Sequence, residues 1–514
     1  MKEIQARPRI CVSICEHTAS GLRESVERGT PLADIIELRL DCLARGELDE
    51  ALGRLSALDS SASKPLILTL RPADQGGRRE IDTINRIVFW LDRLSAEGDQ
   101  LYDIEFDVAR LLMEKKGLDW SRIICSHHVF SVTHTDLERL YREMKRTPAR
   151  IIKIAVRAGD VTDCIPVFKL LEKARDEGQE LIAIAMGEAG AATRILGASR
   201  GSFLTYAALD EGRGTAPGQL TARSLRDLYR VQEITEETTV FGIMGSPVAH
   251  SISPVMHNAA FIENGMDAVY IPFEVKDAGS FLRRMVHPRS SEMSWKLRGL
   301  SVTAPHKLAV MQQLDWIEPS AREMGAVNTI TVSGEELRGY NTDAAAFLSP
   351  LEKSFGALID RRVAVIGAGG AARSVLWGLH KAGAIATVFA RDAEKSAPLC
   401  EEFGARVEKL EGARFHDFEV VVNATPLGTL GASEGETPAS ASQLRGARMA
   451  YDLVYNPSET RFLLEAREAG CETLSGLEML IAQAAEQFRL WTGNVAPIEM
   501  MRAAASRALE AKLS

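Results

Sequence analysis

Short apolar runs separated by polar, helix-compatible stretches recur along the first part of the chain. They are RICVSIC (9–15), DIIELRLD (34–41), PLILTLRP (65–72), LYDIEFD (101–107), RIICSHHVF (122–130), RIIKIAVRA (150–158), LIAIAMG (181–187) and SFLTYAAL (202–209). Runs of this length, rich in Ile and Val, predict strands buried on both faces. The intervals between them leave room for one helix per strand, which is the βα unit. Eight such units predict a closed (β/α)8 barrel, with an open doubly wound sheet as the alternative. The stretch VQEITEETT (231–239) is acidic and lacks glycine, and reads as a linker. A smaller α/β unit follows. Beyond it RRVAVIG (361–367), AIATVFAR (384–391), EVVVNAT (419–425) and RMAYDLVY (448–455) alternate with helical stretches, the pattern of a Rossmann unit.

Length supports this division. A chain of 514 residues exceeds one core, and the expected segments are 1–232, 239–345, 346–475 and 476–514. The fold class is therefore α/β, a barrel followed by a two-domain unit. With 46% hydrophobic and 25% charged residues the composition is that of a globular protein, and a net charge of −9 argues against a nucleic-acid partner. No apolar run is long enough for a membrane span. The start runs almost directly into a strand, without a leader, so the expected location is cytoplasmic. Cysteines stand at 11, 15, 42, 125, 164, 400 and 471 with no C-x-x-C pair. They are expected to be free thiols, with Cys11 and Cys15 packed on one strand face.

Charges interrupt the barrel strands in a pattern. Glu37 and Arg39 lie late in the second, Arg71 ends the third, Asp103 and Glu105 lie in the fourth, His127 in the fifth and Lys153 in the sixth, while Met186 ends the seventh. Isolated buried charges are costly, so several at one barrel mouth point to an active site. Lys153, between Ile152 and Ile154, is the expected nucleophile. Burial disfavours its ammonium form, and a neutral amine attacks carbonyls to give a Schiff base. A structural ion pair with Glu37 or Glu105 is the plain alternative. His127 could then move a proton beside the imine. His127, His128 and His134 have poor spacing for a metal site, and no metal is expected.

The second half carries a different chemistry. FGIMGSPVAHSISPVMHNAAF places Ser251 and Ser253 at a helix start, where capping is the ordinary role. SVTAPHK supplies Thr303 and Lys307, GAVNT supplies Asn328, and GYNTD supplies Asn341 and Asp343. Hydroxyls, amides, a lysine and an aspartate suit a polyol with one anionic end, with Lys307 and Asp343 placed for proton transfer; a salt bridge is the alternative for that pair. Gly367-Ala368-Gly369-Gly370-Ala371-Ala372 follows a strand and opens a helix, a dinucleotide-binding turn. Arg391 at the end of the next strand favours the extra phosphate of NADP, while Asp392 beside it leaves NAD open.

Residues 1–230 resemble type I 3-dehydroquinate dehydratase through IELRLD, TLRPADQGG, CSHHVF, IIKIAV, IAMGEAGAATRILG and TAPGQL. The resemblance implies an imine between Lys153 and the C3 ketone of 3-dehydroquinate. His127 would take the C2 proton and then assist loss of the C1 hydroxyl. Arg194 would hold the substrate carboxylate; Glu37, Arg39, Arg71, Thr215 and Gln219 would orient the ring, and Met186 would pack against it. One departure is Gln75, where the family carries Glu near the catalytic histidine; a neutral amide lowers the expected histidine pKa.

Residues 240–514 resemble shikimate dehydrogenase through S-x-S, S-V-T-x-P-x-K, G-A-V-N-T, N-T-D, G-A-G-G-A-A-R, N-A-T-P-L-G, D-L-V-Y-N-P and G-x-E-M-L-x-x-Q. This implies that Ser251, Ser253, Thr303, Asn328, Asn341, Tyr455 and Gln483 bind shikimate, that Lys307 and Asp343 handle the proton, and that Asn423, Ala424 and Thr425 join Gly367, Ala368, Gly369, Gly370, Ala371 and Arg391 around NADP (NADPH). The family's N-R-T reads Ala390-Arg391-Asp392, leaving Arg391 to carry the phosphate, and its N-V-T reads Ser301-Val302-Thr303. The two resemblances fit one sequence of reactions: 3-dehydroquinate to 3-dehydroshikimate to shikimate. Small-molecule substrates are the expected partners, and the oligomeric state is not legible. An aldolase-type barrel fused to a polyol dehydrogenase, or a non-catalytic sensor of the same metabolites, are the competing readings.

Overall fold

The computed structural model describes residues 7–53, 64–95, 98–131, 136–431 and 433–511. They form two compact units, Met1–Ser251 with Asp267–Leu297, and Ile252–Met266 with Arg298–Ser514.

In the first unit the eight apolar runs are eight parallel strands: β1 (Ile10–Ile14), β2 (Ile35–Arg39), β3 (Leu66–Thr69), β4 (Leu101–Glu105), β5 (Ile123–Val129), β6 (Ile151–Arg157), β7 (Glu180–Met186) and β8 (Thr205–Ala208). Neighbours in sequence pair, and β8 pairs with β1. β7 meets the chain just before β8 at the bridge Leu181–Ser202, where the Phe203 N–H donates to the Leu181 carbonyl at 2.8 Å. The sheet thus rolls into a barrel that is closed there by a single bridge.

Side chains alternate across each strand, so inward positions recur every second residue. Cys11, Ile35, Ile67, Leu101, Ile124, Ile151 and Ile182 pack together inside the barrel. Two residues further along, the same register brings in Ser13, Glu37, Thr69, Asp103, Ser126 and Lys153, all buried. A further step reaches Arg39, Arg71, Glu105, His128, Ala155 and Met186 at the strands' C-terminal ends. The barrel is therefore apolar below and polar above, as this fold's active-site end requires.

β9 (Thr239–Gly245) and β10 (Ala268–Glu274) form a parallel pair in the same unit, and β10 packs on the helix Ala191–Leu196 of the barrel. The stretch expected to be a linker is anchored: Val231 and Ile234 are buried, and Glu236 pairs with Arg175.

The expectation of uniformly free thiols is corrected. Cys15 lies just beyond β1 and is bonded to Cys42, with 5.3 Å between their Cα atoms. Loops leaving adjacent parallel strands emerge at the same end of a barrel, which brings the two thiols together although 27 residues separate them. The other five cysteines are unpaired and buried, and Cys11 belongs to the barrel interior.

The second unit holds most of β11 (Lys296–Val302), with β12 (Trp316–Ile317), β13 (Thr329–Ser333) and β14 (Glu336–Tyr340). β13 runs antiparallel to both β11 and β14, and β12 lies parallel to β14. The expected Rossmann strands follow as β15 (Arg362–Ile366), β16 (Ile385–Ala390), β17 (Arg406–Lys409), β18 (Val420–Asn423), β19 (Met449–Asp452) and β20 (Glu472–Leu474). Their order is β17-β16-β15-β18-β19-β20 and every pairing is parallel. The strand order reverses between β15 and β18, where such sheets bind ligands. The helix Gly476–Thr492 packs along Asp343–Phe355, and Ile498–Ala511 packs on Ser253–Glu263. Among the described residues no helix is long and apolar enough to cross a membrane.

Candidate functional site

Glu37, Arg39, Arg71, Lys153, Met186, Arg194, Thr215 and Gln219 line one cavity at the barrel's polar end, with His128 and Tyr206 among them. Lys153 Nζ donates to Asp103 Oδ2 at 2.7 Å and to Tyr206 Oη at 3.0 Å, and Glu37 Oε1 lies 3.7 Å away. Of the two carboxylates expected to offset Lys153, only Glu37 is near. Glu105 instead meets Arg71 at 2.8 Å and Arg86 at 3.1 Å. Glu37 accepts from Ser13 and Thr69. Arg39 makes a two-pronged contact with Asp41, at 2.9 and 2.8 Å, and Arg71 also reaches Asp103 at 2.7 Å. Burial pushes the Glu105 carboxyl up to about 7, against the two guanidinium charges.

Arg194 differs from Arg39 and Arg71. It is fully buried, its Nη2 donates to the Pro217 carbonyl at 3.1 Å, and its Nε has no partner among the described residues. Burial alone pushes the guanidinium down to about 10. A buried cation left without a carboxylate favours an anionic ligand in the cavity. Thr215 donates its backbone N–H and its hydroxyl to Gln219 Oε1, at 2.7 and 3.2 Å, tying together the loop above the cavity.

The structure places His128, and not His127, in the lining of this cavity. In β5, Ile124 and Ser126 face the barrel interior; Ser126 Oγ accepts from Arg71 at 2.8 Å. Alternation then turns His128 inward and His127 outward, toward the charges of Asp107 and Asp74. His128 lines the cavity and its Nδ1 is buried without a partner among the described residues. Burial, then the charges of Arg71 and Lys153, hold His128 well below the ordinary imidazole range. Gln75 donates nothing to the ring: its Oε1 accepts the His128 backbone N–H at 2.9 Å. His134, weighed with these for metal, lies outside the described residues. The strand's two-residue period was the signal that separates the adjacent histidines.

In the second unit Lys307 Nζ donates to Asp343 Oδ2 at 2.5 Å. Asp343 opens the helix Asp343–Phe355, and its Oδ1 accepts from Asn328 Nδ2 at 2.7 Å. Asn341 Oδ1 accepts the Asp343 backbone N–H at 2.9 Å, while its Nδ2 donates to the Ala326 carbonyl. Asn328 Oδ1 accepts from the Thr342 N–H and the Thr329 hydroxyl. Both asparagines, expected to bind substrate, thus use their amides to fix Asp343. Gln487, which sequence reasoning missed, is buried behind them: its Oε1 accepts from Ser301 at 2.7 Å and its Nε2 donates to Thr329 at 2.9 Å. The extended G-x-E-M-L-x-x-Q helix carries it one turn beyond Gln483. Thr303, Tyr455 and Gln483 are half-buried, and burial pushes the Tyr455 phenol up. Ser251 ends the first unit; Ser253 is the first residue of its helix rather than the cap, which is Ile252.

The dinucleotide turn has the required geometry. Gly367 has φ +102°, and a Cβ there would sit 2.6 Å from the Thr425 side chain. The helix Gly370–Lys381 starts with no side-chain cap, and added Cβ atoms at Gly369 and Gly370 would meet nothing within 4 Å. Free N–H groups facing open space suit a pyrophosphate. Asp392 caps the helix Ala393–Glu402 by accepting the Lys395 N–H at 3.0 Å, so its carboxylate is engaged, while Arg391 is exposed. Asn423 Oδ1 accepts from Thr425 N–H at 3.0 Å, and its Nδ2 donates to Asp452 at 2.9 Å.

Known proteins resemble both halves of the chain. The family profile for type I 3-dehydroquinase matches residues 10–236, and that for the shikimate dehydrogenase substrate binding domain matches 243–330. The shikimate 5'-dehydrogenase C-terminal domain matches 476–505, and an F420-dependent NADP oxidoreductase profile matches 362–443. A chloroplastic bifunctional 3-dehydroquinate dehydratase/shikimate dehydrogenase of Arabidopsis thaliana is 35% identical over 492 residues, covering 91% of this chain and 79% of that protein. An NADP(+) shikimate dehydrogenase of Oleidesulfovibrio alaskensis is 40% identical over 52% of this chain and 95% of its own. A crystal structure of a shikimate dehydrogenase in complex with NADP+ matches 54% of this chain and 97% of its own, at 35% identity and a TM-score of 0.50.

Proposed function

Because the chain belongs to the family of bifunctional 3-dehydroquinate dehydratase/shikimate dehydrogenases, we propose how its residues divide the two reactions. The protein is a shikimate-pathway enzyme with a lyase half and an NADP-dependent oxidoreductase half. The aldolase and sensor readings give way to this one.

In the barrel, Arg194 holds the carboxylate of 3-dehydroquinate and places the C3 ketone against Lys153. The Lys153 amine adds to C3, water leaves, and an imine forms. His128, kept neutral by burial, takes the C2 proton. The enamine then expels the C1 hydroxyl, which His128 protonates, and hydrolysis frees 3-dehydroshikimate and Lys153. Glu37, Arg39, Arg71, Met186, Thr215 and Gln219 orient the ring. The observation that carries this reading is the buried Arg194, without a carboxylate partner, in the same cavity as Lys153 and His128.

In the second half, Ser253, Thr303, Tyr455 and Gln483 bind the shikimate skeleton. Residues 367–371, Arg391 and 423–425 would hold NADP, with Arg391 as the cation for its extra phosphate. When bound, NADPH supplies the hydride. Lys307 gives a proton to the ketone oxygen, and Asp343, fixed by Asn328 and Asn341, holds Lys307 in place. We keep the segments 1–232, 239–345, 346–475 and 476–514 as functional modules.

Reduction with borohydride in the presence of 3-dehydroquinate tests the first half. A Lys153 peptide carrying the substrate mass supports the reading, and an unmodified Lys153 peptide contradicts it.

A further inference from the structure

Tyr206 stands opposite Lys153 and was not singled out by the charge pattern of the strands. It lies in β8, buried, in register with Cys11 of β1, and lines the cavity. Lys153 Nζ donates to its hydroxyl at 3.0 Å and lies 4.1 Å from its ring centroid. The ring alone would satisfy packing at this position. The hydroxyl adds a polar atom whose burial costs free energy unless it is bonded, and its bonded partner is the nucleophilic nitrogen.

We propose that Tyr206 is a catalytic residue of the dehydratase: its hydroxyl carries a proton from the Lys153 nitrogen to the substrate oxygen as the carbinolamine forms. This deepens the imine reading above and rests on it. Addition of a neutral amine to a ketone leaves a positive NH2 group and a negative oxygen on the same carbon. Direct transfer between them passes through a strained four-membered ring. A hydroxyl that accepts from nitrogen while donating to oxygen makes the ring six-membered. One N–H bond breaks as an O–H bond forms on Tyr206; the original Tyr206 O–H breaks as the carbinolamine O–H forms. The phenol ends unchanged, nothing is oxidised or reduced, and the reverse step serves imine hydrolysis.

The surroundings favour this role over its rivals. A shuttle must stay neutral, and burial, followed by the nearby Glu37, Cys11 and Asp103, pushes the Tyr206 phenol well above its ordinary value. Asp103 also touches Nζ. Burial raises its carboxyl, but Arg71 and Lys153 overcome that and hold it below the usual carboxylate range, so it has no proton to give. Glu37 is farther from Nζ and already accepts from Ser13 and Thr69.

Tyr206→Phe keeps the ring and removes only the hydroxyl. The full chain is mixed with 3-dehydroquinate, quenched with borohydride at successive times, and the Lys153 peptide is followed by mass spectrometry. The unsubstituted protein labels Lys153. The variant is expected to label the same residue at least about tenfold more slowly, within the usual range for a positioned proton-transfer group, with substrate KM nearly unchanged and shikimate oxidation intact. A labelling rate within about twofold of the parent overturns the proposal while leaving the imine reading standing; absence of label in the parent overturns the imine reading itself. As a second measurement, the parent's labelling rate is compared in H2O and D2O. A clear slowing in D2O is expected, and equal rates overturn the shuttle even if the variant fails to fold.

Discussion

Lys153 Nζ and Asp103 Oδ2 are 2.7 Å apart inside the barrel, and Asp103 also pairs with Arg71 at 2.7 Å. Two buried cations therefore share this carboxylate. Removing it leaves Lys153 with Glu37 at 3.7 Å and Arg71 with Glu105 at 2.8 Å as their remaining carboxylates, a loss typically of about 3–5 kcal/mol. Asp103→Asn is expected to destabilise the barrel by that order in denaturant unfolding followed by dehydratase activity, with shikimate oxidation as the internal reference. A change under about 1 kcal/mol would show that the pair does not carry barrel stability.

The two adjacent histidines make a sharper pair of variants. His128→Ala should lower dehydratase kcat by about 10²–10⁴-fold, the usual loss for a general acid–base group. His127→Ala, on the outer face of β5, should retain most of it. The reverse ranking would restore the assignment suggested by sequence alone.

Gln75 gives a pH prediction. Its amide oxygen accepts the backbone N–H of His128, and no negative charge from this position supports the imidazolium. Gln75→Glu should raise the His128 pKa. The base must be neutral to take a proton, so the acidic limb of the kcat/KM profile moves to higher pH in the variant. Imidazole titration by NMR gives the same comparison; an unchanged or lower His128 pKa in Gln75→Glu would contradict the account.

Asp452 supplies a stability test in the second unit. It is buried against Asn423, Val454 and Thr460, and burial pushes its carboxyl up to about 6. The unfolded value is about 3.9. Since the folded state binds the proton more tightly, this group favours folding below the unfolded value, and that contribution is lost as pH rises through about 6. Relative to Asp452→Asn, the parent should lose up to about 3 kcal/mol between these two pH values and then stay level. Chemical denaturation followed by shikimate oxidation measures it.

Much of this architecture is written in the strands. The apolar runs show the barrel because buried parallel strands have little alternation to hide, and the Gly367 turn is legible because its glycines serve a backbone requirement. The charged residues could also be located, but their partners could not. Gln487, which ties Ser301 to Thr329, acts across separate elements, and no local spacing announces such a pairing. Tyr206 was hidden for another reason, because a tyrosine inside an apolar strand looks like packing. Alternation from Ile124 and Ser126 turns His128 rather than His127 into the barrel, a signal that the sequence carries but that the charge pattern alone does not single out. The Cys15–Cys42 bond depends on loops meeting at one barrel end, which a one-dimensional count of cysteines does not contain.

The central claim is that one chain carries two consecutive reactions on separate sets of residues. The direct test supplies purified protein with 3-dehydroquinate and NADPH and follows shikimate formation. The parent should make shikimate. Lys153→Ala should block it unless 3-dehydroshikimate is added, Lys307→Ala should stop at 3-dehydroshikimate, and a mixture of the two variants should restore the product. No shikimate from the parent, or loss of both reactions on changing either lysine alone, would contradict the account.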